Sequence, residues 1–336
     1  MTMVSIGDLA QSVALRQQNA RLRQAITTLA QEMSTSQAAD LPRHLKGNYA
    51  YLGDIEHGMR VNQGYGFAVR EAAGFAGAMQ AALDNVQDVT TALSGDLALS
   101  GGSALPEAMS AASKGARGAL DAILSALNTE VAGRALFSGA ATDRQSFAPA
   151  QIFIDQLKAA LATVPPALGD ITAAVDDWFF GAGGGFETAG YLGATHALSP
   201  FPISEGETVG LDLRGDAQEL RLTLRNVVLA ALAADPDLSY SNELQGQILT
   251  VAGEGLMTSQ GQLATIRADL GYAEARIEET QARLSAENTS LEIARNELLG
   301  VDPYETAIRL ENAQFQLEAL YTATVSVSRL SLVEYL

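Results

Sequence analysis

Apolar residues recur along this chain in two rhythms. From Asp8 to about Ser36, Leu15, Leu22, Ile26, Leu29 and Met33 are separated by seven, four, three and four residues. That is one heptad seam, and it predicts a long helix with a coiled-coil partner. Arg16, Arg21 and Arg23 lie off the seam. Pro42 and Gly47 in DLPRHLKGN break the pattern. A second helix is predicted from about Asn48 to Leu93. Its stripe, from Val69, Ala72, Ala76 and Met79 to Leu83, Val86, Thr90 and Leu93, alternates threes and fours. The earlier half of this helix is rich in glycine, at about 1 kcal/mol each against alanine. Such a cost is tolerated where helices approach closely or flex. SGDLALSGGSALPE reads as a turn. Pro106, a favoured first helical residue, opens a third helix to about Leu136, with Met109, Ala112, Ala116, Ala119, Ile123 and Leu127 as its stripe.

The rhythm changes between about Phe137 and Asp237. SFAPAQIFIDQLKAALATV reads as a short strand or turn and then a helix. DWFFGAGGGFETAGYLGATHALSPFPI reads as loop and strand. GETVGLDLRG alternates Val209, Leu211 and Leu213 in strand fashion. DAQELRLTLRNVVLAALAA is helical again.

Helical rhythm returns from about Ser241 to Leu299, with Ile248, Leu256, Leu263, Leu270, Ile277, Leu284, Leu291 and Leu298 among its apolar positions. Asp302, Pro303 and Glu305 in VDPYE then restart a helix with near-capping-box chemistry. Leu310, Ala313, Leu317, Leu320, Thr324 and Val327 make its seam. The pattern predicts a mainly α protein in which long antiparallel coiled-coil helices from both chain ends form a rod, with a small α/β insert. The expected division is 1–136, 137–237 and 238–336, with the insert facing outward.

Composition narrows the partners. The 336 residues include 21 Lys and Arg against 39 Asp and Glu, a formal charge of −18. A nucleic-acid backbone and an anionic membrane surface are therefore poor partners. No stretch of about 18 apolar residues is present, so no membrane insertion is expected. The N-terminal residues show no apolar core of a cleavable secretion signal. Cysteine is absent, which excludes disulfides, thiolate catalysis and cysteine-ligated zinc.

Candidate chemistry is thin. His44, His57 and His196 are the only histidines, and none pairs at metal-ligand spacing. GAGGGF at 181–186 lacks the Lys-Ser/Thr of a phosphate loop. DPDLSYSNELQG from Asp235 places acids at the first and third positions of a calcium loop. It carries Tyr240 where the turn glycine belongs and Gly246 where the closing glutamate belongs. A turn before the next helix is the simpler reading. Glu278 and Glu279 read as a solvated helix face. No nucleophile, base and oxyanion set assembles, so no enzyme and no cofactor is expected.

DPYETAIRLENAQFQLEALYTATVSVSRLSLVEYL resembles the carboxyl end of the flagellin superfamily, with Leu330, Ser331, Leu332 and Leu336 as its closing motif. GRALFSGAATDRQSF resembles the superfamily stretch that closes the third helix, on Gly133, Arg134, Leu136, Phe137, Gly139, Thr142 and Phe147. Together the resemblance covers about 1–150 and 240–336. Two branches are open: filament flagellins and hook–filament junction proteins. The flagellin Asp-Asp-Ala-Ala-Gly run is missing near residue 50, and SLVEYL is more junction-like, so the sequence is more similar to the second branch. Flagellin is the alternative, and a coiled-coil adaptor unrelated to motility a more distant one.

The resemblance implies a structural protein of the flagellum, outside the cell, exported through the flagellar type III channel without a cleaved signal peptide. Its implied partners are further copies of itself in a ring, a neighbouring hook-associated protein, flagellin, and a cytoplasmic export chaperone at the C-terminal helix. The implied assembly interface is Leu15, Leu22, Ile26, Leu29, Met33, Leu310, Leu317, Leu320, Val327, Leu330, Leu332 and Leu336.

Overall fold

The computed structural model describes residues 6–103 and 105–333, and side chains between residues 10 and 326. The elements in order are α1 (Ile6–Thr35), α2 (Leu41–His44), α3 (Ala50–Gly101), α4 (Pro106–Leu127), β1 (Glu130–Val131), β2 (Arg134–Ala135), α5 (Ala150–Leu161), α6 (Leu168–Phe180), a π-helical turn (Phe186–Gly190), β3 (Phe201–Ser204), β4 (Glu207–Val209), α7 (Gln218–Leu232), α8 (Asn242–Leu299) and α9 (Pro303–Val333). The protein is mainly α, with long helices packed on one another. Among the described residues the strands form two small antiparallel pairs, β1–β2 and β3–β4. The chain divides into an end unit, 1–62 with 285–336, and a central unit, 63–284.

Sequence periodicity locates α1, α8 and α9 to within a few residues, and the α3 stripe from Val69 to Leu93 is buried throughout. Three expected boundaries are wrong. The segment SGDLALSGG is not a turn: α3 continues to Gly101, because Leu93 and Leu97 extend its buried stripe. Conversely, α4 stops at Leu127, well before Leu136. Asn128 caps it and exchanges two hydrogen bonds with Phe147: its amide nitrogen donates to the Phe147 carbonyl at 3.0 Å, and its oxygen accepts the Phe147 N–H at 2.8 Å. The strand expected through Leu213 ends at Val209.

The central unit has one continuous core. Residues of α3, α4 and α8 share it with Phe137, Phe147, Phe153, Trp178, Phe179 and Phe186 from the 137–237 segment. Helix α7 packs on α4, and α5 and α6 pack on α7. The expected divisions at 136/137 and 237/238 both fall inside this unit, whereas the compact units meet at 62/63 and 284/285.

In the end unit α1 packs on α9. The backbone N–H of Val301 donates to the Ser36 carbonyl at 3.2 Å, and Arg23 meets Tyr321, so the two helices run antiparallel. The first residues of α3 lie along the last of α8: Asn62 donates to Glu287 at 3.1 Å, and a Cβ added to Gly58 would touch Leu291. Leu45, Leu52 and Leu299 close a small cluster there.

Candidate functional site: the paired end helices and the 130–147 hairpin

Helix α9 starts where its sequence says it should. Asp302 Oδ1 accepts the N–H of Tyr304 at 2.8 Å and of Glu305 at 3.2 Å, satisfying two orphan donors of the first turn. Its inner face holds Thr306, Leu310, Ala313, Leu317 and Leu320, all buried or half-buried. Across from it α1 offers Leu15, Leu22, Ile26 and Leu29, each half-buried. Met33 sits at the end of the seam and is 45% exposed. The side chains of Val327, Leu330 and Leu332, and all of Leu336, lie outside the described residues. Seven of the twelve residues expected at the interface thus lie on α1 or α9 with half-buried or buried side chains.

One polar contact on this seam was not legible from periodicity. Arg23 donates to the Tyr321 hydroxyl at 2.8 Å. That hydrogen bond, seconded by one from Asn19, lowers the phenol from its ordinary range. Arg23 and Tyr321 are 298 residues apart, and only the antiparallel register joins them.

Helix α9 exposes further apolar residues on its opposite side. Tyr304 is 76% and Phe315 71% exposed, with Ile308 and Val325 also open. They share that face with Glu311, Glu318 and Thr322. Helix α9 thus has one seam against α1 and exposed apolar residues among polar ones on its other side.

The 130–147 stretch is a lock, not a reactive loop. Ala132 and Gly133 both have positive φ, 51° and 74°, the geometry of the tightest hairpin turn. The turn returns Arg134 to α3, where its guanidinium stacks 5.3 Å from the Phe75 ring centre and pairs with Glu71. Phe137 is fully buried, and its carbonyl accepts from Gly215 N–H at 2.7 Å and the Tyr191 hydroxyl at 3.1 Å. Burial pushes the Tyr191 phenol far above its ordinary value, so it stays a donor. Gly139 has φ 61°, and a Cβ there would collide with the His196 carbonyl.

Of the other singled-out residues, His44 contacts the Leu298 carbonyl at 3.0 Å, while His57 and His196 are exposed. Gly185 is pressed against Trp178, and a single π-helical turn follows it. Asp235 is buried between Arg117 and Lys158 and accepts the Asp237 N–H at 2.9 Å, which makes the 235–241 stretch a pinned corner. Among the described residues no three His, Asp or Glu side chains come together as metal ligands. An open cleft of about 550 Å³ lies beside Gly101, Met109, Leu168 and Gly246. No helix among the described residues is long and apolar enough to cross a membrane.

Comparison with known proteins bears on most of α8 and on α9. Residues 255–336 match the bacterial flagellin C-terminal helical region. That flagellin-type region includes all of α9 and therefore one partner of the α1–α9 seam. No curated protein matches the chain. Among solved structures, a protein described as a flagellar hook-associated protein of Vibrio parahaemolyticus has a similar fold. It has 13% sequence identity and a TM-score of 0.52, covering 73% of this chain and 95% of that one.

Proposed function

We propose that this chain is a structural component of the bacterial flagellum that assembles with copies of itself through its paired end helices. The observation that carries the reading is the flagellin-type C-terminal region folded as a helix with one seam against α1 and with Tyr304, Ile308, Phe315 and Val325 exposed on its other side. Large exposed apolar surface on a helix calls for a partner. Among the described residues of the central unit the buried Asp235 is paired with Arg117 and Lys158, and the 130–147 stretch is a structural lock.

Within the flagellum we propose the junction between hook and filament. The fold-level likeness to a hook-associated protein supports it, as does the absence of the flagellin Asp-Asp-Ala-Ala-Gly run. On this reading the subunit forms a limited ring, contacts a hook-associated protein on one side and flagellin on the other, and leaves the cell by type III export with a chaperone on α9. The filament subunit is the second reading, favoured by the flagellin match itself.

Deleting the gene separates the two. A junction protein predicts intact hooks with flagellin released into the medium as monomer. The purified chain, even with a precipitating salt, should then give no long filaments, because a ring that stops differs from an open helix of identical contacts. Long regular filaments from this chain alone would reject the junction role and leave flagellin. Unchanged motility in the deletion strain would reject both.

A further inference from the structure

Within the central unit α3 and α8 pair over a seam that repeats every seven residues. Helix α3 buries Val69, Ala76, Leu83, Thr90 and Leu97 in one row, and α8 buries Leu249, Leu256, Leu263, Leu270, Ile277 and Leu284. A slip of seven residues lays each apolar side chain of α8 into the place of its neighbour. Burial alone therefore discriminates poorly between registers. One close approach keeps its glycine in such a slip: a Cβ on Gly246 would lie 3.0 Å from the Gly101 carbonyl, and another glycine, Gly253, follows seven residues later.

One row on α8 is different. Gly253, Gln260, Arg267 and Glu274 also recur every seven residues, but their chemistry does not repeat. Gln260 Nε2 donates to Thr90 Oγ1 at 2.8 Å. Arg267 donates to Gln87 at 2.6 Å and pairs with Asp84 at 2.8 Å, while Gln80 Nε2 donates to the Arg267 carbonyl at 2.8 Å. A slip in one direction sets Glu274 against Asp84 and Arg267 against the buried Thr90. A slip in the other sets Gly253 against Thr90 and carries Arg267 past Asp84 toward Gly77.

We infer that this polar layer is a register lock, selecting one of several pairings of α3 and α8 that their apolar seams accept almost equally. Like charges in one slipped register, and a lost ion pair in both, separate the states that burial does not. The layer bears a cost that a simple stabiliser would not: Gln260 Oε1 is buried without a partner. Buried polar groups that specify register at the expense of stability are the best-attested use of such groups.

The absence of cysteine makes the test clean. Gly77 and Gly261 have nothing within 4 Å of an added Cβ, so Gly77→Cys with Gly261→Cys takes two nitroxide labels without disturbing the core. A seven-residue slip moves one label by about 10 Å along the helix axis. The labelled chain should show one narrow distance. Adding Gln260→Leu and Arg267→Leu should produce a second, displaced population. Gln260→Leu alone should raise the urea midpoint. A folded double variant with one unchanged distance overturns the inference. If the double variant does not fold, Arg267→Leu alone decides by the same distance measurement.

Discussion

Asp235 shows how one residue holds a corner of this protein. Its side chain is 1% exposed, between Arg117 of α4 and Lys158 of α5. Burial pushes its carboxyl up, but the Asp237 N–H, Arg117 and Lys158 together outweigh that and hold it below its ordinary value. A carboxylate with a depressed folded value contributes stability above its unfolded value, and that contribution is lost as pH falls through the lower folded value. Stability should therefore decline below about pH 4, and Asp235→Asn should flatten that limb. Removing one partner from a buried pair costs about 3–5 kcal/mol, which urea unfolding at neutral pH would read; a loss below about 1 kcal/mol would show the pair to be as weak as a surface one. Gly139→Ala tests the hairpin lock in the same way. Its φ of 61° and the His196 carbonyl leave no room for a methyl group. The left-handed backbone alone costs about 1–2 kcal/mol for a non-glycine residue, and the collision adds to it.

At the scale of elements, the seam between α1 and α9 is the part that the proposed function uses. Leu317 is half-buried and Leu320 is 8% exposed. Replacing both by Asp places two charges where α1 must desolvate them, at a cost of several kcal/mol. Motility should be lost and α9 should become protease-sensitive, while the central unit keeps its own unfolding midpoint. Normal motility in that strain would remove the seam from the assembly. The seam was legible in the sequence because periodicity needs only local spacing, and so was the start of α9, because Asp302 caps it from two residues away. The end of α4 was not legible. It depends on Asn128 finding Phe147, 19 residues on. Nor was the end of α3, since SGDLALSGG has the composition of a turn and is held helical by α8, with Gly101 against Thr250. The Arg23–Tyr321 contact was hidden for the same reason: nothing in local spacing pairs residues at opposite ends of the chain.

Over the whole molecule the two units are built with different amounts of core. The central unit encloses Phe137, Phe147, Phe153, Phe179 and Phe186, all with essentially no exposed surface. Their rings meet at centroid distances such as 5.6 Å for Phe179–Phe186 and 5.7 Å for Phe147–Tyr191. Buried aromatic pairs of this kind each add about 0.5–1.5 kcal/mol beyond their burial. In the end unit the interior cluster is small, Leu45 with Leu52 and Leu299, and the α1–α9 seam is largely half-buried with apolar residues still open on α9. Local opening should therefore cost far less there. Amide exchange on the isolated monomer should show strong protection across 63–284 and weak protection across 10–35 and 305–325, with sample size measured in parallel. Assembly would then supply what the monomer lacks: a second surface on α9 raises protection in the end unit and leaves the central unit unchanged. Equal protection of both units in a verified monomer would show that the α1–α9 pair is complete on its own. The exposed apolar residues of α9 would then need another explanation than copies of the same chain.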